Sequence, residues 1–298
     1  MLEFFAYNNV DSNNVSTIGF VGLGPQTSSA KSFVSGLQAA GGVTTNTVTP
    51  VFSPSTNLTE FLYGGSPANI YFGVVKGETE GINGKNGPSH KIDPSDGSKG
   101  WNFKLADYKF NNAKVALATA TDIRLSTQPF LLFPTIDLMS IYATVATSLT
   151  ATQLACLTDE TSSTCGASGM ACSAFYDNFP GFEFTIDSTK YTLPPQAFLY
   201  DTGMWDESTN SFYNACVPMV SSDMTDTTTI SAGLPFVSNF VPTLDYDNNA
   251  VSFGLNSNSS DVVKLKSGMN GLDITLIIIG SVVGVGILGF VAFKCMKK

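Results

Sequence analysis

Residues 172–199 read CSAFYDNFPGFEFTIDSTKYTLPPQAFL, and this stretch decides the fold. Phe182, Phe184 and Ile186 alternate with other residues, and Tyr191-Thr192-Leu193 follows before Pro194-Pro195. A period of two puts one set of side chains on one face of a strand, so the stretch predicts half-buried β-structure. The pattern extends in both directions. Towards the N-terminus, Trp101, Phe103 and Leu105 alternate as one face of a strand, Asn57–Tyr63 reads as a strand closed by Gly64-Gly65, and Thr17–Leu23 (TIGFVGL) reads as a strand ending at Gly24-Pro25. Towards the C-terminus, Val251, Phe253 and Leu255 make the last strand. Short runs bounded by Gly, Pro, Asn and Ser clusters are the signature of a β-rich domain. Two helices are expected: a short one over Ser29–Ala40, stopped by Gly41-Gly42, and one beginning near Pro134-Thr135, where Leu138, Ile141, Val145 and Leu149 recur at three and four residues. Residues 76–100 read as an exposed loop, and His90, the only histidine, reads as a surface residue within it.

The composition agrees with this. Of 298 residues only 13% are charged, with 22 Phe and 10 Tyr, which suits an all-β extracellular or lumenal domain. A formal net charge of -9 argues against nucleic acid as a partner, because phosphates would be repelled. The acidity fits an acidic compartment and fits ordinary solubility equally well. With one histidine and no paired short cysteine spacings, neither a metal site nor a cofactor is expected. Gly22-Leu23-Gly24 reads as a turn rather than a phosphate cradle.

Ile274–Phe293 is an uncharged apolar run of 20 residues, long enough as a helix to cross roughly 30 Å of hydrocarbon. Lys294, Lys297 and Lys298 follow it and mark a cytoplasmic side, leaving the large domain lumenal or extracellular. Gly280 and Gly284 offer a helix-packing face within the run. Asn14, Asn57 and Asn258 each open an N-glycosylation triplet. Met1–Asn9 has no signal-peptide character, so the expectation is a fragment whose start lies upstream. Cys156, Cys165, Cys172 and Cys216 precede the apolar run and allow three pairings. Cys156 and Cys165 bracket a polar loop that they would close, and disulfides are favoured over a zinc site. The organisation expected is a β-domain over 1–256, a polar stalk over 257–272, a transmembrane helix over 273–294 and a tail over 295–298.

Several separated segments resemble, in order, the pepsin-like aspartic peptidases. TIGFVGLGP (17–25) is similar to the family's strand and turn near the end of the N-terminal lobe, with Ile18 where Asp is usual. FLYGG (61–65) resembles the strand that opens the C-terminal lobe, and LLFPTIDLMSIY (131–142) resembles the segment and helix after the second active-site loop. CSAFYDNFPGFEFTI (172–186), YTLPPQAFL (191–199) and GLPFVSNFVPTLDYDNNAVSFG (233–254) match later strands. The resemblance covers residues 17–256 and implies an all-β fold with few short helices, comprising one complete lobe and the edge of another. It also implies a Cys172–Cys216 disulfide.

That family uses two carboxylates, one per lobe, held close enough that only one ionises, so that one is base and the other acid. By resemblance the first loop would lie before Met1. The second would fall just before Pro134-Thr135, where its Asp coincides with Leu125, followed by Ser126, Thr127 and Gln128. Leucine neither holds nor transfers a proton. Asp122 lies three residues earlier but is followed by Ile123-Arg124. Asp201-Thr202-Gly203 spells the family's active-site triplet, but it follows a strand that belongs after the loop, so it reads as a turn. The functional expectation is a membrane-anchored, catalytically inactive homologue that binds a peptide or protein, or serves structurally. The alternative is a membrane-anchored aspartic endopeptidase of which this is a partial sequence, using Asp201 or Asp122.

Overall fold

The computed structural model describes residues 6–7, 18–19, 23–25, 33–52, 54, 68–73, 82–83, 87–92, 100–115, 118–158, 170–206, 211–259 and 264–266. The fold is mostly β, with few helices. The deciding stretch forms a hairpin, Phe182–Ile186 against Thr189–Leu193, joined by Asp187 and Ser188 and registered from Phe182↔Leu193 to Ile186↔Thr189. Both strands bury every second residue, as alternation requires. Asn102–Phe110 pairs with the hairpin on one side and with Asp122–Leu125 on the other. Thr229–Ala232 then lies between Asp122–Leu125 and Leu131–Pro134, and Val220–Asp223 closes that edge. A second sheet holds Ala68–Phe72, Thr47–Phe52, Phe240–Asp245 and Ala250–Asn256, with Ile82–Asn83 and Ser89–Lys91 both paired to the last of these. Leu199–Asp206 and Ser211–Pro218 form a separate hairpin.

The core is aromatic. Phe182 stacks on Phe133 and Phe184 and packs against Phe110 and Phe198, with ring centroids between 4.7 and 5.7 Å. Tyr191, Phe236, Phe240 and Phe253 form a second group, all 0% exposed. Such pairs add about 0.5–1.5 kcal/mol each beyond the area they bury. The disulfide Cys172–Cys216 is present, with Cα atoms 4.7 Å apart. Cys156 is also disulfide-bonded, and Cys165 lies outside the described residues.

The two expected helices fall at Phe33–Ala39 and Thr135–Ser148, the latter burying Leu138, Ile141 and Val145 as its spacing predicts, and Ala151–Thr158 and Leu234–Val237 are helical as well. Other expectations are corrected. Residues 76–100 contain the strands Ile82–Asn83 and Ser89–Lys91, and His90 is 1% exposed rather than on the surface. Its burial comes from pairing with Val251, which is far away in sequence. Asp201-Thr202-Gly203 lies inside a continuous strand and is no turn. The stretch read as a stalk contains a short strand, Lys264–Lys266, so Ala250–Asn256 is not the last. Residues 57–65 lie outside the described residues, and the strand paired with Thr47–Phe52 is Ala68–Phe72, ending at Gly73. The apolar run 274–293, Asn14 and Asn57 also lie outside them. Among the described residues no helix is long and apolar enough to cross a membrane.

Candidate functional site

The strand Asp122–Leu125 is locked in place by its neighbours. It runs parallel to Thr229–Ala232, Ile123 against Ile230, and antiparallel to Asn102–Lys104. At its end the chain leaves the sheet through a hydrogen-bonded loop. Leu125 N–H donates to Trp101 O at 3.0 Å, and Ser126 N–H donates to Ala232 O at 3.0 Å. Gln128 N–H donates to Ser126 Oγ at 3.1 Å, and Gln128 O accepts from Leu234 N–H at 2.8 Å. The chain then re-enters the sheet at Leu131–Pro134, on the far side of Thr229–Ala232. The loop therefore bridges over the end of the strand threaded between its two arms. Gly233 sits under this bridge, where a Cβ would come within 2.1 Å of Phe130 O and 2.5 Å of Gln128 O. Only glycine leaves room for the crossing.

The loop forms one wall of a cavity of about 370 Å³. Leu125, Ser126 and Thr127 face it together with Trp101, Phe52 and Leu244, and among the described residues no aspartate or glutamate lines it. Its size is at the lower end of ligand pockets, and its lining is mainly apolar with a few hydroxyls. Leu23 and Gly24 line it as well. Two donors converge on the Leu23 carbonyl, Trp101 Nε1–H at 2.6 Å and Tyr246 Oη–H at 3.1 Å. Their rings meet edge to face at 5.3 Å. Burial raises the Tyr246 hydroxyl pKa well above that of a free phenol, so it remains a donor.

The other carboxylates singled out in the sequence lie elsewhere. Asp122 is buried at the opposite end of its strand, in an ion pair with Lys104 Nζ at 2.8 Å and accepting from Thr121 Oγ1 at 2.9 Å. Asp201 Oδ1 accepts from Cys172 N–H at 2.7 Å, beside the Cys172–Cys216 disulfide. Neither lines the cavity around Leu125. The sequence reading did not anticipate Asp137. It is 0% exposed and accepts from Thr119 N–H at 2.6 Å, Thr119 Oγ1 at 2.8 Å, Ala120 N–H at 3.1 Å and the Tyr108 hydroxyl. Four donors satisfy a buried carboxylate, and they tie the helix Thr135–Ser148 to the segment preceding the loop strand. Burial, and then Asp137, push the Tyr108 hydroxyl pKa far up. Among the described residues no cluster of His, Cys, Asp and Glu could hold a metal ion.

The profile of the eukaryotic aspartyl protease family matches residues 5–256. The chain belongs to that family. Among solved structures, the aspartic proteinase from Irpex lacteus superposes with a TM-score of 0.58 at 16% identity, over 86% of this chain and 73% of that one. At that identity the likeness shows the pepsin-like fold and nothing finer. No curated protein matches the sequence. Within this aspartyl-protease fold, Trp101 and Gly233 were missed as site residues. Trp101 was visible only as one member of an alternating strand, and Gly233 only as part of a loosely matching segment. The role of each depends on a neighbour distant in sequence.

Proposed function

We propose that this chain is a membrane-anchored aspartyl-protease homologue without peptidase activity, whose cleft binds an extended peptide or protein segment. One observation carries the reading. Leu125 ends the strand at the position where the family resemblance expects a carboxylate, and among the described residues no Asp or Glu lines the cavity. Peptide hydrolysis by this fold requires two close carboxylates to share a proton and activate water. An apolar wall with Ser126 and Thr127 at its edge suits an aliphatic or aromatic side chain of a bound segment, held by backbone hydrogen bonds. The anchoring rests on the apolar run 274–293 and its lysines. A lumenal or extracellular domain is supported by the disulfide Cys172–Cys216 and by the exposure of Asn258 within its glycosylation triplet.

The test is cleavage of a peptide library by the full chain, purified folded from its native source, from about pH 3 to about pH 7, with a transition-state inhibitor of aspartic peptidases as control. The expected result is no inhibitable cleavage, together with saturable peptide binding that Trp101→Phe weakens. Inhibitable cleavage at acid pH would overturn the reading in favour of an endopeptidase, and Asp201→Asn and Asp122→Asn would then identify its carboxylate.

A further inference from the structure

The helix Thr135–Ser148 is apolar on its outside as well as its inside. Leu138, Ile141 and Val145 are buried, yet Ile136, Met139 and Tyr142 are 51%, 68% and 47% exposed. Steps of three and four residues set Ile136, Met139, Ala143 and Ala146 in one exposed stripe, with Tyr142 at its margin. The only charged residue of the helix is Asp137, and it is buried. A helix that is apolar all round belongs in contact with something on both sides.

The strand beside this helix is equally bare. Val220–Asp223 ends its sheet, paired in parallel with Leu131–Pro134 and, among the described residues, with no strand on its other edge. Lysine, proline, a bulge or a covering element guards most such edges. Here the residues are Val-Ser-Ser-Asp, and the register with Leu131–Pro134 runs without a shift. Asp223 does not guard the edge either. Its Oδ1 accepts from Thr225 N–H at 2.8 Å, Thr225 Oγ1 at 2.7 Å and Asp226 N–H at 3.1 Å, all within its own turn. Pro134 is registered with Asp223, so the helix starts where Met224 leaves the strand. Met224 is 86% exposed, and it joins the edge to the helix face.

We propose that this edge and helix face form a contact between two copies of the chain. The exposed parts of Ile136, Met139, Tyr142 and Met224 amount to on the order of 500 Å², near the top of the range for a monomer's largest apolar patch. That is more than half of the roughly 800 Å² each partner buries in a standard interface, and the strand edge adds to it. The chain carries a formal net charge of -9, so two copies repel over most of their surface. Approach is least unfavourable at a face whose helix exposes no charge. An anionic bilayer surface suits the patch less, because residues 135–148 and 220–224 contain no Lys or Arg and Asp223 adjoins Met224. The edge is also self-complementary. Antiparallel pairing about a twofold axis between Ser221 and Ser222 sets Val220 of each copy beside Asp223 of the other, and keeps the two Asp223 carboxylates apart. Such a contact closes on itself and leaves no edge to extend. None of these residues lines the cavity at Leu125, so the contact stands apart from the function of the cleft.

The test is sedimentation equilibrium of the full chain in nonionic detergent over roughly 1–100 µM, with photocrosslinking in phosphatidylcholine vesicles beside it. The expected result is a monomer–dimer equilibrium. Met139→Glu and Met224→Glu put like charges into the contact, on side chains that lie largely in solvent in the single chain. Each should raise the dimer dissociation constant about tenfold or more. Replacing Gly280 and Gly284 together by Leu alters the packing face of the apolar run and should leave the constant unchanged. With Met139 replaced by photoreactive benzoylphenylalanine, which adds no charge, the expected product in vesicles is a crosslink between two copies of the chain. A chain monomeric in detergent and uncrosslinked in vesicles would overturn the proposal, as would a dimer indifferent to both Met variants or one lost with the glycine pair. Crosslinks from position 139 to lipid alone, or to another protein alone, would overturn it in favour of that occupant.

Discussion

Replacing Gly233 by alanine tests the geometry of the candidate site most directly. The added Cβ would stand 2.1 Å from Phe130 O, 2.5 Å from Gln128 O and 2.9 Å from Phe130 C, all of them backbone atoms. No side-chain rotation relieves such contacts. Phe130 O must move from 2.1 Å to beyond about 3 Å, close to 1 Å of backbone displacement in a loop pinned at both ends. That movement also breaks the 2.8 Å bond from Leu234 N–H to Gln128 O. Overpacking of this kind costs roughly 1–3 kcal/mol, and a buried hydrogen bond left unmade adds about 1–3 kcal/mol. A total near 4 kcal/mol corresponds to a fall of roughly 10 °C in melting temperature for a domain of this size. Urea unfolding of the full chain followed by tryptophan fluorescence gives the free energy, and the denaturant slope checks that the unfolded state is unchanged. Loss of less than about 1 kcal/mol would refute the account of a loop crossing directly over Gly233.

Three further outcomes are expected. Removing the disulfide by Cys172→Ala with Cys216→Ala frees a loop spanning 44 residues, for which chain entropy predicts a loss of about 4 kcal/mol in urea unfolding. Tyr108→Phe takes one of four donors from buried Asp137, and should cost about 1.5–3 kcal/mol with the other three bonds intact, measured the same way. Burial raises the Asp226 carboxyl pKa, but N–H bonds from Thr228 and Thr229 and the nearby Arg124 outweigh it, so the folded pKa lies below the unfolded one. Its contribution is therefore full above the unfolded value of about 4 and lost as pH falls through the lower folded value. Asp226→Ala should accordingly melt lower than the parent chain near pH 7, with the gap narrowing towards about pH 2 in thermal unfolding.

What could be read from the residues divides by range. Phe182, Phe184, Ile186, Tyr191 and Leu193 declared their strands because alternation is local, and the helix Thr135–Ser148 declared itself by its buried Leu138, Ile141 and Val145. The disulfide followed from family resemblance, not from spacing, which left three pairings open. His90 was misread because its own surroundings in sequence are Gly, Ser, Asn and Lys, while its partners Asp187 and Tyr191 lie about a hundred residues on. Asp201-Thr202-Gly203 was read as a turn, and that reading failed because the segment continues as a strand through it. The Asp201 carboxylate is engaged with Cys172 N–H. The crossing at Gly233 depends on three strands meeting, which no single segment encodes.

The bond pair at Leu23 bears on how this protein tolerates sequence change. Both donors, Trp101 and Tyr246, are side chains, while their shared acceptor is a main-chain oxygen. A saturation scan at position 23 leaves that oxygen in place in every variant and is blind to the tie. The same scan at 101 or 246 removes a donor with nearly every substitution. Tolerance at 23 beside intolerance at 101 and 246 would be the mutational footprint of a side-chain-to-backbone clamp.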